Sequence, residues 1–282
     1  MLVNMEKAIC KTGDYLNFFN KLIMTKIDGD IKAFLDEKVA LYNNPGFIDT
    51  DPISVPHGYS MKEDIEVAAF LTATISWGSR QMIIKNALRL LALMGDSPFD
   101  FVMNHRAHHL DALNGFVHRT FKDTDARYFV RALRHIYSRH GGLESVFCRS
   151  ASPDSVISAI IALHELFFSI PHPERTRKHV SNPAGGSPAK RINMFLRWMV
   201  RDDGKGVDFG LWKTISPSQL SCPLDLHTGH IARMFGLITV KQNNLKALQE
   251  LDSKLRLMDP ADPVKYDFAL FGLGVFEELW KR

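Results

Sequence analysis

The sequence contains few cysteines, and no two of them lie close together. Cys10, Cys148 and Cys222 form no CxxC pair and no cluster with metal-ligand spacing. The cysteines therefore indicate neither a disulfide framework nor a cysteine-based metal site. Isolated thiols are typical of a reducing compartment, so we expect a cytoplasmic protein.

Long hydrophobic segments are also missing. The sequence has no run of 18 apolar residues and no basic-then-apolar signal at its start, so we expect neither a membrane span nor secretion. Few segments alternate between apolar and polar residues, which argues against an extensive β-sheet. The sequence also contains no internal repeat and no low-complexity tract.

The residues that are present predict a helical protein with a large core. Of the 282 residues, 45% are hydrophobic and 10% aromatic, which excludes a disordered chain and fits one large domain or two closely packed lobes. Apolar residues recur at helical spacing along most of the sequence, so we predict an all-α fold. The predicted helices cover residues 15–42, 64–76, 81–94, 126–140, 152–168, 188–202, 226–235, 244–257 and 263–280, with a short helix after 97.

Several helix starts are predicted from capping patterns. Ser60-Met61-Lys62-Glu63 has the pattern of a capping box, in which a serine and a glutamate satisfy free backbone N–H groups. Ser97-Pro98, Ser152-Pro153 and Ser187-Pro188 each place an N-cap serine before a first-turn proline, so each predicts a helix start.

Positive charge is concentrated in one part of the sequence. Between Glu174 and Arg201 there are seven Lys and Arg residues and one acid. Such a patch is what binding to a phosphate backbone requires. A solvated helix face beside a loop explains the same composition equally well.

The segment Gly185-Gly186-Ser187-Pro188-Ala189-Lys190-Arg191 is a candidate site. The glycines allow a tight turn and close approach of a partner, and free N–H groups at a helix start bind phosphate. Lys190 falls in the first helical turn, where the helix dipole and Arg191 both disfavour a second positive charge. That favours the free amine, the nucleophilic form. The alternative is an ordinary surface lysine at a helix start.

The second candidate segment runs from Cys222 to Leu237, and Asp225 is its single acid. Asp225 follows a proline and stands at a predicted helix start, where aspartate is a preferred N-cap. The capping role explains the residue without any chemistry. A carboxylate at a helix start also stays ionised, so it can stabilise a positive charge that develops on a sugar.

These two segments together resemble the helix-hairpin-helix DNA glycosylase superfamily. The likeness covers residues from about 64 to 280, with Lys190 at the position of the catalytic lysine and Asp225 at that of the essential aspartate. Pro223, His227, Arg233, Gly236 and Leu237 match the residues around that aspartate. The interval of 35 residues from Lys190 to Asp225 is similar to that in archaeal 8-oxoguanine glycosylases. The whole chain also resembles a bacterial family of conserved hypothetical proteins.

The sequence departs from the superfamily pattern at three points. The usual hairpin, Gly-x-Gly followed by Lys-Thr-Ala, is replaced by the 185–191 segment, and Leu226 stands where threonine is common. No cysteine follows Cys222, so the iron–sulfur cluster of endonuclease III-like members cannot be built. We therefore expect no cofactor, although the resemblance allows a monovalent cation at the hairpin.

The resemblance implies a two-lobed all-α fold with a central cleft. It divides the chain into an N-terminal helical segment (1–60) packed on the C-terminal lobe, a central barrel lobe (61–170), and a hairpin and C-terminal lobe (171–282).

The implied activity is that of a DNA base-excision glycosylase with abasic-site lyase activity, acting on double-stranded DNA that carries a damaged base, an oxidised purine by preference. Lys190 would be the nucleophile and Asp225 its electrostatic or general-base partner. The implied DNA contacts are Gly185, Gly186, Ser187, Arg191, Arg197, Arg201, Trp77, Arg80, His227 and Arg233.

Two other functions are compatible with the same residues. One is a relative of the glycosylase fold that binds nucleic acid without cleaving it. The other is a metal-dependent hydrolase in which Asp225, His227 and His230 supply carboxylate and imidazole ligands.

Overall fold

The computed structural model describes residues 27–279, and this part of the chain is built almost entirely of helices. We number the α-helices α1 to α11 in chain order. They are α1 Ile27–Tyr42, α2 Lys62–Thr74, α3 Arg80–Ala92, α4 Pro98–Asn104, α5 Asp123–His140, α6 Leu143–Ser150, α7 Ile157–Phe167, α8 Lys190–Val200, α9 Leu226–Met234, α10 Leu245–Met258 and α11 Tyr266–Val275. The prediction of an all-α protein is confirmed.

Short elements complete the described part of the chain. A small hairpin consists of two antiparallel strands of two residues each, β1 (Val117–His118) and β2 (Phe121–Lys122). Eight 3₁₀ helices connect the α-helices: Pro45–Thr50, Pro52–Ser54, Pro56–Gly58, Ala107–Leu113, Glu174–His179, Pro183–Gly185, Pro217–Gln219 and Pro263–Lys265. None of the described helices is both long and apolar enough to cross a membrane.

Most predicted helices are present, with shifted ends. Ser97 caps α4 through a hydrogen bond from the Asp100 N–H, and Gly141 ends α5 in the left-handed region. Residues 15–26 of the first predicted helix lie outside the described residues. The last predicted helix, 263–280, is instead a 3₁₀ turn followed by α11, which ends at Val275.

Three predicted helix starts are wrong. The N-cap of α2 is Met61, without any side-chain cap, so the Ser60 capping box does not form. The segment after Ser152 makes a turn closed by backbone bonds to Ser155, and α7 begins only at Ile157. Ser187 bonds to the Ala189 N–H and precedes the helix start by three residues. The sequence reading also missed α6.

The buried apolar side chains form two clusters. The larger core gathers residues of α2 to α8 and contains Phe70, Phe129, Phe195, Trp198 and Trp212. The smaller core is built by α1 and α9 to α11. Each buried phenylalanine contributes about 1.5–3 kcal/mol, so both cores are substantial.

Helix α11 belongs to both cores. Its Phe268 packs in the larger core, while Tyr266, Leu270 and Leu273 pack in the smaller one. Helix α1 packs along α11, and α8 packs against α2. The larger core therefore includes α8, which the predicted boundary at residue 171 groups with the C-terminal helices. The division into three segments stays a prediction.

Candidate functional site

Lys190 is the first residue of α8, and the backbone in front of it has an unusual conformation. Ala189 adopts φ 45° and ψ 41°, in the left-handed region that non-glycine residues rarely enter. The Ser187 hydroxyl accepts the Ala189 N–H at 3.1 Å, and the Asn193 amide donates to the Pro188 carbonyl at 2.9 Å. These bonds fix the turn from which the Lys190 side chain departs.

Asp225 is the N-cap of α9, as its sequence context predicts. Its Oδ1 accepts the Thr228 N–H at 3.0 Å. Its Oδ2 lies 4.0 Å from Nζ of Lys190, and each of the two side chains is about a quarter exposed. One carboxylate oxygen is thus engaged by the helix, and the other faces the lysine amine.

The Lys190–Asp225 pair lies in a cleft of about 580 Å³ between the two cores. We call it the Lys190 cleft. Its walls come from the α2–α3 junction and α8 on one side, and from α9 and α11 on the other. Trp77 and Phe271 are aromatic residues in its lining, and Leu226 and His227 also line it.

Two further acids line the Lys190 cleft, and the sequence reading missed both. Burial raises the pKa of Asp267 to about 6, and Asp225 raises it further, while Arg197 and Lys190 oppose the shift. Burial also raises the pKa of Asp51, against the Ile53 N–H bond and the nearby cations. Asp267 is the only charged residue of α11, a signal that the sequence did offer.

Arg191 is a partly buried cation in the same lining. Its guanidinium lies 4.8 Å from the Trp77 ring centre and donates to the Thr74 carbonyl. Burial lowers its pKa to about 10, which leaves it charged at neutral pH. No described carboxylate forms an ion pair with it, so its charge is available to an anionic ligand.

Arg80 begins α3 at the predicted break between α2 and α3. Its guanidinium lies 5.0 Å from the Phe276 ring centre and 5.5 Å from that of Phe271. Trp77, in the same break, is partly buried. Both residues line the Lys190 cleft, so the structure brings them to the candidate site.

Arg197 of α8 and Arg201, which follows the last residue of α8, do not line an outer surface, which corrects the expectation that they follow phosphates. Arg197 and Arg201 are 3% and 2% exposed. Arg197 binds Asp208 and Asp267, and Arg201 binds Asp203, Asp208 and Asp262. Their i, i+4 spacing does place them on one face, but that face is turned toward buried carboxylates.

The guanidinium of Arg233 is likewise used inside the protein, contrary to the predicted DNA contact. It donates to the carbonyls of Gly229 and Val240 and to the side chain of Asn243, at 2.7–2.9 Å. In contrast, Gly185 and Gly186 are exposed, and Gly186 adopts the left-handed conformation (φ 83°) expected of the turn. The turn before Lys190 is therefore accessible to a partner.

The proposed metal ligands do not converge in the described residues. His227 lines the Lys190 cleft, whereas His230 is exposed. Across residues 27–279, no three His, Cys, Asp or Glu side chains form a group that could hold a metal ion.

Comparison with known proteins assigns the chain to a family. The model of a protein family of unknown function, DUF2400, matches residues 51–276. The chain belongs to this family. The matched region of the DUF2400 chain includes both Lys190 and Asp225. No curated protein and no solved structure matches the chain.

The arrangement suits nucleophilic chemistry on an anionic substrate. An amine and a carboxylate face each other in a cleft with aromatic residues in its lining. Beside them lies Arg191, to which the described part of the chain supplies no carboxylate partner. An amine nucleophile needs a proton acceptor, and a cationic intermediate needs a negative charge nearby. Asp225 supplies both.

Proposed function

We propose that this protein is a DNA base-excision repair enzyme of helix-hairpin-helix glycosylase type, with abasic-site lyase activity, acting in the cytoplasm. The observation that carries the proposal is the 4.0 Å approach of Lys190 Nζ to Asp225 Oδ2 in the Lys190 cleft. The two residues are 35 positions apart in the sequence, and each begins its own helix.

The chemistry begins when the damaged base is extruded from the duplex, because the enzyme cannot reach C1′ of that nucleotide while the base is stacked. The Lys190 amine gives up a proton to Asp225 and attacks C1′ of the deoxyribose. The bond from C1′ to the base nitrogen breaks, and the base departs with the bonding electron pair and takes up the proton that Asp225 accepted. Asp225 is thereby a carboxylate again, and its negative charge stabilises the positive charge on the amine-bound sugar.

Strand cleavage follows from the covalent intermediate. The sugar ring opens, and the nitrogen of Lys190 forms a Schiff base with C1′. Loss of a proton from C2′ then expels the 3′ phosphate by β-elimination. Water hydrolyses the Schiff base and regenerates the lysine.

The surroundings of the pair support a nucleic-acid substrate. A cleft of about 580 Å³ accommodates a single base, and the aromatic side chains of Trp77 and Phe271 lie in its lining, as in sites that bind nucleic-acid bases. The charge of Arg191 is not offset by a carboxylate among the described residues, which fits a nearby phosphate. We take an oxidised purine in double-stranded DNA as the substrate, on the resemblance to 8-oxoguanine glycosylases.

Borohydride trapping tests the proposal, since borohydride reduces a Schiff base to a stable amine. With duplex DNA that carries an abasic site or an oxidised purine, we expect the wild-type protein to form a covalent adduct. Lys190→Arg keeps the positive charge beside Asp225 and supplies no Schiff-base amine, so we expect no adduct from it. Lys190→Ala should behave in the same way.

Each outcome of the trapping experiment has a distinct meaning. Equal trapping by wild type and Lys190→Arg would contradict the assignment of the nucleophile. If the wild type forms no adduct but binds DNA in a salt-dependent manner, and Lys190→Ala and Asp225→Asn bind equally well, the protein is a non-catalytic nucleic-acid-binding relative.

A further inference from the structure

The side chain of Asn243 contacts both ends of α9, at Asp225 and at Arg233. Its Nδ2 donates to the backbone carbonyl of Asp225 at 2.6 Å, and its Oδ1 accepts from Arg233 at 2.7 Å. Gly229 makes room for this contact, because a Cβ atom there would lie 2.5 Å from the Asn243 Oδ1. The amide therefore has a fixed orientation, with its donor turned toward Asp225.

The same short segment also holds the turn in front of Lys190. The backbone N–H of Leu245 donates to the carbonyl of Gly186 at 2.9 Å. Between these two contacts, Asn244 caps α10 through a hydrogen bond from the Ala247 N–H. Residues 243–245 thus bond to the backbone at Asp225 on one side and to the Lys190 turn on the other.

We propose that Asn243 is a positioning residue that sets the separation of the Lys190 amine and the Asp225 carboxylate. This inference rests on the function proposed above. Asn243 reaches neither reacting group and acts through the backbone carbonyl of Asp225. Because Oδ1 of Asp225 is committed to the helix cap, the direction of Oδ2 follows the backbone of Asp225, whose carbonyl is held by the Gly229 N–H at 2.9 Å and by Asn243 at 2.6 Å.

The expected effect is on the rate of chemistry and not on binding. A displacement of about 1 Å at a reacting group costs about 100-fold in rate. The opposite wall of the cleft, which includes Arg191 and Trp77, lies on α8 and the α2–α3 junction, away from the two bonds of the amide. A residue with only a structural role would instead lower the melting temperature and DNA affinity together.

Asn243→Asp is the most informative variant. The aspartate keeps an oxygen for Arg233, and so retains the anchor, but it loses the N–H that holds the Asp225 carbonyl. In single-turnover trapping on an abasic duplex, we expect the adduct to form about 10- to 100-fold more slowly. The dissociation constant for that duplex should stay at the wild-type value, and the melting temperature should fall only slightly, as expected for the loss of one hydrogen bond.

Thr239→Val provides the matched control. Thr239 lies in the same connection between α9 and α10, and its hydroxyl bonds to Glu250 at 2.7 Å, away from Asp225. We expect wild-type trapping rates from this variant.

Three results would overturn the inference. The first is a wild-type trapping rate in Asn243→Asp, while the proposed function stands. The second is a slower trapping rate in Asn243→Asp together with an equal fold loss of affinity for the duplex and a marked fall in melting temperature, which assigns Asn243 a structural role only. The third is the absence of trapping by the wild-type protein, which overturns the proposed function together with the inference.

Discussion

Asp225 combines two roles in one side chain. Its Oδ1 closes the first turn of α9, and its Oδ2 faces the amine of Lys190. The cap is a matter of shape and hydrogen bonding, which asparagine also provides, whereas the proposed chemistry needs the negative charge. Substitution can therefore separate the two roles.

We expect Asp225→Ala to be less stable than Asp225→Asn, and we expect both variants to form the trapped adduct more slowly than the wild type. The alanine variant loses the cap, and its free energy of unfolding should fall by about 1 kcal/mol, while asparagine keeps the cap. Neither variant should form the trapped adduct at the wild-type rate. Urea denaturation of the three proteins measures the first effect. Equal destabilisation by both substitutions would contradict the capping role.

The sequence identified some site residues and missed others for a physical reason. Lys190 and Asp225 each stand in a local pattern that carries its own chemistry. Asp51, Asp267 and Asn243 reach the site only through the packing of distant helices. Arg197 and Arg201 look like surface cations in the sequence because no periodic pattern links them to their partners. Asp203 and Asp208 lie in the irregular segment after α8, and Asp262 and Asp267 follow 61 and 70 residues later.

Among the helices, α10 shows how a buried carboxylate fixes the segment before Asp225. Asp252 accepts the Cys222 N–H at 2.9 Å, and it is 4% exposed. Burial raises the pKa of Asp252 from 3.8 to about 6, against the hydrogen bond and Arg256. The folded state therefore disfavours the ionised form of this side chain.

This shift predicts a pH dependence of stability. A folded-state pKa above the unfolded value means that the favourable contribution of Asp252 is complete below about pH 4 and is lost as the pH rises through about 6. Asp252→Asn removes that loss. The free energy of unfolding of Asp252→Asn minus that of the wild type should therefore grow by about 2–3 kcal/mol between pH 4 and pH 7, since one pKa unit corresponds to about 1.4 kcal/mol.

Glu250, on the same helix, is the control with the opposite sign. Its pKa is lowered chiefly by the bonds from Thr239, so its contribution is present at neutral pH and lost on acidification. The free energy of unfolding of Glu250→Gln should therefore fall further below that of the wild type as the pH rises through the acidic range. A parallel pH profile for wild type and Asp252→Asn would contradict the account of Asp252.

Helix positions were more predictable than helix ends. The periodicity of apolar residues located α2, α3, α5 and α8 to α10, because each buries a broad face in a core. The Ser-Pro pattern succeeded at 97 and failed at 152 and 187, since a serine can close a turn as readily as a helix. Whether that turn continues as a helix depends on contacts outside the segment.

In the whole molecule, the Lys190 cleft depends on how the two cores are joined. Phe268 of α11 packs in the larger core, and Arg197 of α8 bridges Asp208 and Asp267 between α8 and α11. Lys190 belongs to α8, and α9 packs on α11. This buried link thus positions the two sides of the proposed site.

We expect Arg197→Met to destabilise the protein strongly. The substitution leaves the carboxylate of Asp267 without its buried partner and Asp208 with Arg201 alone, which costs about 3–5 kcal/mol. Arg139→Met removes an exposed arginine of α5 and should change stability by less than about 0.5 kcal/mol. Denaturant unfolding of both variants measures the difference. A stability loss for Arg197→Met no larger than that for Arg139→Met would contradict the bridging role.

The central claim is that Lys190 is the nucleophile of a DNA lyase. Mass-spectrometric mapping of the borohydride-trapped wild-type adduct tests it most directly, because the reduced sugar fragment stays on the lysine that formed the Schiff base. We predict that the modified peptide contains Lys190 and that the modification is on its Nζ. A fragment on another lysine or on the N-terminal amine, or no adduct at all, would contradict the claim.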